Sequence, residues 1–153
     1  MAILAEDPGD IGAKANTFLE SMRPHRVRKE PLNWARQAEA DLKTAGDCFQ
    51  AGNYYASAFF CQQASEKALK ALYIAMRAEP PPRSHNLAEI SQDLNVPREI
   101  LSFLRSLTPE FIVSRYPDAA GGPPCDLYDE ANTRPILEGT RKVVSWAIRK
   151  TKT

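Results

Sequence analysis

The stretch NYYASAFFCQQASEKALKALYIA, residues 53–75, decides the fold. It is long enough for about six helical turns and is apolar almost throughout. At 100° per residue, small residues such as Ala58, Cys61 and Ala64 fall on one side of the helix, where they allow a neighbouring helix to approach closely. The opposite side carries five polar residues, which we call the polar strip: Gln62, Gln63, Glu66, Lys67 and Lys70. This side is not an ordinary solvent face, since Tyr55, Phe59, Phe60 and Ile74 lie among or beside the polar groups.

Three interpretations of the polar strip are open at this stage. The lysine stems can snorkel to water, with Glu66–Lys70 and Gln62–Glu66 as partners four residues apart. The strip can instead line a groove in which lysines hold a phosphate and aromatic rings stack a base. It can also form a seam between two copies of the chain, where amide groups set the register.

Composition narrows the class of protein. The chain has 153 residues, which is enough for one domain with a real core and no disulfide staples. Its net charge is +1, so an anion site requires a local cluster rather than a global field. The three cysteines form no CxxC motif, which favours reduced thiols and a cytoplasmic protein. Charges interrupt residues 53–75 and the acidic start lacks a basic region, so we expect no membrane span and no signal peptide.

The N-terminal thirty residues are predicted to be an extension that precedes the main domain. A short helix is possible over 10–22, and the basic run RPHRVRKEP (23–31) is interpreted as a solvated linker or as an arm that touches phosphate. The main domain is predicted to span 31–153. Neither histidine, His25 or His85, has neighbours with metal-ligand spacing, so we expect neither a metal nor a cofactor.

The pattern from 31 onward predicts helices with short connections. A helix starting near 31–34 has an apolar stripe, an exposed Glu39–Lys43 pair and an end at Gly52, with Asn53 as the cap of the next helix. Further helices are predicted over 86–94 with an Asn86–Glu89 capping box, from Pro97, over 111–113, and over 127–150 with a kink or true start at Pro135. No strand-like alternation of useful length occurs. The prediction is therefore an all-α, up-and-down bundle of four to five helices with a short N-terminal extension.

Four motifs in a fixed order resemble a known family. They are the two-helix run from Trp34 to Ala75, the segment SHNLAEI (84–90), RYPD (115–118), and a final helix led by Tyr128. Together they resemble the HEPN domain (higher eukaryotes and prokaryotes nucleotide-binding) over roughly residues 32–150. The resemblance implies a helical bundle, commonly a homodimer, often encoded beside a small nucleotidyltransferase as a toxin–antitoxin pair.

Many members of that family are metal-independent ribonucleases that use an Arg-x4-6-His motif. Histidine exchanges a proton with the 2′-hydroxyl or leaving oxygen, and arginine stabilises the charged phosphorane. This sequence departs from the motif: the nearest arginines before His85 are Arg83 and Arg77, at the wrong spacing, and no histidine follows Arg115. We therefore assign no catalytic residue from the sequence.

The sequence leaves three functional hypotheses. The first is a protein that binds a nucleotide or RNA phosphate and acts with a nucleotidyltransferase. Its candidate site residues are Lys67, Lys70 and Arg115 for phosphate, Tyr116 for stacking and His85 for a hydrogen bond. The second is a metal-independent ribonuclease toxin with a non-standard site, and the third is a non-catalytic dimeric subunit.

Overall fold

The computed structural model describes the backbone of residues 24–153 and the side chains from residue 29. In this part of the chain all regular structure is helical, which confirms the all-α class. The helices are α1 Pro24–Gln50, α2 Tyr54–Arg77, α3 Leu87–Ile90, α4 Arg98–Leu107, α5 Glu110–Val113, α6 Pro124–Leu127 and α7 Glu130–Thr151. None of them is both long and apolar enough to cross a membrane. The helix predicted over 10–22 lies outside the described residues.

Helix α1 starts earlier than the sequence predicts. It begins at Pro24 and contains Pro31, so the interpretation of 24–31 as a linker is wrong. A proline removes one backbone donor from a helix, but here the helix continues through it to Gln50. The buried positions of α1 recur at helical spacing, and alanine dominates them. The buried residues are Pro31, Ala35, Ala38, Asp41, Ala45 and Phe49.

A three-residue turn joins α1 to α2. Gly52 has φ +78°, a left-handed conformation that glycine adopts without strain. The amides of Gly52 and Asn53 donate to the carbonyls of Phe49 (3.1 Å) and Cys48 (2.8 Å), which is the Schellman pattern of helix termination. The end predicted at Gly52 is confirmed. The Asn53 side chain makes no capping hydrogen bond, so that detail of the prediction is wrong.

Helix α2 lies at the centre of the bundle. It packs against both other long helices, α1 and α7, and also contacts α3, α5 and α6. Its small residues Ala58, Cys61, Ala64 and Ala68 are fully buried, as expected for a face that neighbouring helices approach closely. The core is completed by leucines of α3 and α4 and by one face of α7. These residues are Leu87, Leu104, Leu107, Leu137, Val143 and Val144.

Side-chain caps position the shorter elements. The Asn86 side chain accepts from the amides of Ala88 (3.1 Å) and Glu89 (3.2 Å), as predicted. The Glu89 carboxylate does not close the box, because it accepts instead from the Ser84 hydroxyl at 2.9 Å. His85, which precedes this cap, is joined to α2 by the hydrogen bond from Gln62 to its carbonyl.

The last helix begins at Glu130 rather than at Leu127 or Pro135. Asp129 and Asn132 form a reciprocal capping box, in which each side chain accepts from the other residue's amide at 2.8–2.9 Å. Pro135 lies inside α7, one turn beyond the start.

Candidate functional site

The polar strip of α2 is buried inside the single chain. Gln62 is completely buried, Glu66 is 4% exposed and Lys70 is 8% exposed, while Gln63 and Lys67 are half-buried. Helix α1 and the segment around His85 cover it. The strip is therefore neither a solvent face nor an open seam for a second copy.

Helix α1 supplies a carboxylate to the strip. Asp41, which is 5% exposed, forms an ion pair with Lys67 of α2 and accepts a hydrogen bond from Gln37 at 2.9 Å. Burial of both charges is tolerated because each has a partner of opposite sign. The exposed pair on α1 is Lys43–Asp47 (2.7 Å), whereas the sequence predicted Glu39–Lys43.

Glu66 has three polar partners: Lys70 and His85 share its Oε1, and Gln63 donates to its Oε2 at 3.4 Å. Its Oε1 lies 3.3 Å from Lys70 Nζ, which confirms the predicted pair, and 2.6 Å from His85 Nδ1. Lys70 Nζ also lies 5.8 Å from the centre of the Trp34 ring, within range of a cation–π contact. The Glu66 side chain is almost fully buried, but that of His85 is 57% exposed. Glu66 thus links the buried strip to a histidine at the surface.

The two glutamines complete this network. Gln62 Nε2 donates to the backbone carbonyl of His85 at 3.2 Å, and Gln63 Nε2 donates to Gln62 Oε1 at 2.7 Å. The predicted Gln62–Glu66 pair is absent among these described contacts. Gln62 instead anchors the backbone of the residue whose ring Glu66 holds, so His85 is restrained at two points.

Aromatic rings connect His85 to Arg115. The His85 ring stacks on Phe111, with centroids 3.9 Å apart and planes within 15°. The Arg115 guanidinium lies 5.0 Å from the centre of the same Phe111 ring, 5.4 Å from that of Phe59 and 5.2 Å from that of Tyr116. His85 and Arg115, thirty positions apart in the chain, therefore meet across Phe111.

The five candidate residues fall into two groups that differ in solvent exposure. His85, Arg115 and Tyr116 are exposed and adjacent. Lys67 is half-buried and Lys70 is buried, and their ammonium groups are paired with Asp41 and Glu66.

Sequence reasoning assigned no role to Asp41 or Phe111, and it predicted Glu66 only as a partner of Lys70 and Gln62. Asp41 and Glu66 neutralise the lysines, and Phe111 is the platform between the two exposed groups. The apolar spacing of α1 was a possible signal for Asp41, because position 41 falls on the buried side of that helix.

A half-buried carboxyl, that of Glu110, lies next to Phe111 in the chain. Glu110, at the start of α5, accepts a hydrogen bond from the Tyr128 hydroxyl. Burial raises the pKa of Glu110, and the hydrogen bond opposes this only in part. Burial and the contact with Glu110 raise the pKa of Tyr128 well above its ordinary value.

Two open pockets lie elsewhere, and neither is lined by His85, Arg115 or Tyr116. One of about 480 Å³ lies between α4 and α7, and one of about 580 Å³ lies along α3 and α4. Within residues 29–153, no group of histidine, cysteine and acidic side chains has the arrangement of a metal site. The candidate site is thus a shallow surface of rings and charges over a paired interior.

These observations define a class of small α-helical domain. It has one buried ion pair within the central helix, a second between that helix and α1, and an exposed surface formed by a histidine and an arginine. The sequence model of the HEPN domain matches residues 32–151, and the chain belongs to that family.

Two solved structures are similar. TT1696 from Thermus thermophilus has a TM-score of 0.73 and 29% identity, over 78% of this chain and 97% of that one. ST0689, an archaeal HEPN homologue, has a TM-score of 0.69 and 29% identity, over 79% of this chain and 97% of that one. No curated protein sequence matches the chain significantly.

Proposed function

We propose that this protein binds the phosphate of a nucleotide or nucleic acid at the His85–Arg115 surface and acts with a nucleotidyltransferase in a toxin–antitoxin-like pair. The observation that carries the binding proposal is the position of Arg115 and His85 on one aromatic ring, with both side chains open to solvent. Among the described side chains, no carboxylate lies within ion-pair distance of Arg115. An unneutralised guanidinium supports binding of an anion.

Each exposed group has a distinct proposed role. The edges of the Arg115 guanidinium carry its donors, and aromatic contacts on its faces leave those edges available for a phosphate. Tyr116, 46% exposed, offers a ring on which a base can stack. His85 donates or accepts a hydrogen bond through Nε2, because Nδ1 is held by Glu66.

Lys67 and Lys70 support the surface rather than contact the ligand directly. Both ammonium groups already have carboxylate partners, and the Lys70 side chain is 11% exposed. Breaking either pair to reach a phosphate leaves a buried carboxylate without its lysine, which is costly. Arg115 is therefore the residue whose replacement tests phosphate binding.

Calorimetric titration with ATP and with a short RNA tests this proposal. We expect saturable heat from at least one ligand, a loss of affinity of tenfold or more in Arg115→Gln, and weaker binding as salt rises. Arg105→Gln is the matched control, since it removes the same charge from an exposed position on α4. No heat from either ligand, or equal loss in both variants, refutes the proposal.

A second candidate function, metal-independent RNA cleavage, is supported by the Glu66–His85 contact. A buried carboxylate accepts from Nδ1–H, so Nε2 is the basic nitrogen and is available to take a proton from a 2′-hydroxyl. Arg115, across Phe111, is available to stabilise the negative charge that develops on phosphorus. The arrangement is a positioned base beside a cation, although the residues do not follow the Arg-x4-6-His spacing.

RNA cleavage in the presence of EDTA tests the second candidate. We expect cleavage to survive EDTA, to vanish in His85→Ala, and to fall in Glu66→Gln with an altered pH profile, because a neutral amide no longer selects the same tautomer. Cleavage that persists in His85→Ala contradicts this function. Binding without cleavage leaves the first proposal standing alone.

The proposed protein partners are tested separately. The nucleotidyltransferase is proposed from the family resemblance, and the homodimer is supported also by the exposed apolar side chains of Tyr55, Ile112 and Tyr116. Size-exclusion chromatography with light scattering, with and without the product of the adjacent gene, measures both assemblies. We expect a dimer that Ile112→Asp weakens, and a monomer at all concentrations argues against it.

A further inference from the structure

We infer that the groove between α4 and α7 is a second binding site, for a small amphipathic anion that combines a ring or short chain with one acidic group. It is separate from the His85–Arg115 surface and does not depend on the function proposed there. The groove has a volume of about 480 Å³, within the range of small-molecule sites. Four apolar residues line it, two from each helix: Ile100, Phe103, Val143 and Trp146.

A close helix contact closes one end of the groove. Gly139 of α7 has no side chain, and a Cβ built there would overlap the Phe103 ring. The ring therefore rests on the backbone of α7 at that point. The other lining residues lie on one side of this contact, toward the start of α4 and the end of α7.

The charges at the rim favour an anion. Lys142 and Arg149 of α7 are exposed on the rim, and among the described side chains neither is within ion-pair distance of a carboxylate. Glu99 of α4 is the opposing charge on the same rim. The rim thus carries a net charge of +1 over an apolar floor, which complements a ligand with an apolar body and one negative group.

The dimensions favour a small molecule over a partner helix. At a rise of 1.5 Å per residue, the α7 wall of the groove, lined from residue 139 to 149, is roughly 15 Å long, but the α4 wall, from 97 to 103, is only roughly 9 Å long and limits what both walls can contact. A docked amphipathic helix makes contacts at i, i+3, i+4 and i+7 and requires a longer groove. One or two fused rings fill this length.

A matched pair of fluorescent probes tests the inference. 8-Anilino-1-naphthalenesulfonate (ANS) has the rings and one sulfonate, and N-phenyl-1-naphthylamine has the same rings without the charge. The chain has two tryptophans, so in Trp34→Phe the emission transferred to a probe comes from Trp146 in the groove. We expect saturable ANS binding at one site per chain, at least tenfold tighter than binding of the neutral probe.

Three variants are expected to affect ANS binding in three different ways. Lys142→Gln with Arg149→Gln is expected to weaken ANS binding at least tenfold, whereas Glu99→Gln is expected to tighten it. Arg115→Gln is expected to leave it unchanged, which separates this site from the proposed phosphate site. Unchanged melting temperatures show that ANS is not reporting partial unfolding.

Equal affinity for the two probes overturns the inference, as does the absence of saturable energy transfer from Trp146. Weakening of ANS binding in Glu99→Gln overturns it as well, because the anionic group would then not lie at the rim. Failure here leaves the ATP and RNA titrations untouched, since those are read by heat and by Arg115→Gln.

Discussion

Replacing Glu66 by alanine tests whether the buried network is a structural requirement of the site. The substitution leaves Lys70 without its carboxylate and His85 without a partner for Nδ1. The side chains of Glu66 and Lys70 are only 5% and 11% exposed, so the appropriate comparison is a buried ion pair that has lost one member. Such a change costs about 3–5 kcal/mol of unfolding free energy.

We take the low end of that range, ~3 kcal/mol, because the Lys70 ammonium retains its contact with Trp34 and because His85 is largely solvated. For a domain of this size the melting temperature is then expected to fall by roughly 10 °C. Urea denaturation followed by circular dichroism at neutral pH measures the loss. The double variant Glu66→Ala/Lys70→Ala is expected to lose less than the sum of the two single variants, because it leaves no unpaired charge.

The matched control is an exposed ion pair with the same four-residue spacing. Lys43 and Asp47 are 78% and 66% exposed, so Asp47→Ala is expected to leave the denaturation midpoint unchanged. A loss below ~1 kcal/mol in Glu66→Ala would show that Lys70 reaches water at little cost and would refute the buried-pair argument. Strict additivity in the double variant would refute it independently.

Three further predictions concern other parts of the chain. Burial raises the folded-state pKa of Glu110, so the folded protein holds its proton more tightly than the unfolded chain. Stability is then expected to fall as pH rises from about 4 through that raised pKa. In Glu110→Gln the plot of melting temperature against pH should be flatter over this range. Parallel plots for the wild type and the variant would contradict the prediction. Burial raises the pKa of Cys61 to about 11, so at pH 8 about one thiol in a thousand is ionised. Iodoacetamide and mass spectrometry are expected to show rapid labelling of exposed Cys125 and labelling of Cys61 only in denaturant; native labelling of Cys61 would refute its burial. Gly52→Ala is expected to cost about 1 kcal/mol, because alanine at φ +78° is strained although no neighbouring atom obstructs its Cβ. Chemical denaturation tests this cost, and a neutral result would mean that the turn adopts another conformation.

Most of the fold was predictable because it depends on local periodicity. The small face of α2, the break at Gly52 and the cap at Asn86 are all set by residues within a turn or two of one another. The start of α1 was not predicted, because a basic run ending in a proline is typical of a linker. Proline disfavours a helix locally, but continuation through Pro31 depends on the packing of α1 against α2 and α7.

The sequence named five candidate site residues but gave no indication of which of them are buried and paired. The Glu66–Lys70 pair follows from helical spacing alone. The pairing of Lys67 with Asp41 spans 26 residues and that of Gln62 with the His85 carbonyl spans 23, so neither leaves a local signal. Without those contacts, the two lysines appeared available to a ligand. In the structure Lys67 is half-buried and paired with Asp41, and Lys70 is buried and paired with Glu66.

Helices α1 and α2 pack against each other, and alanine is common among the buried residues of both, including Ala35 and Ala38 of α1. Alanine surfaces tolerate sliding of one helix along the other. The Asp41–Lys67 ion pair opposes such sliding. Displacement of α1 along α2 by one helical turn, about 5.4 Å, separates the two charges and leaves the buried Asp41 carboxylate without its lysine. The Asp41–Lys67 ion pair therefore fixes the register of the α1–α2 hairpin, that is, how far along α2 the helix α1 lies.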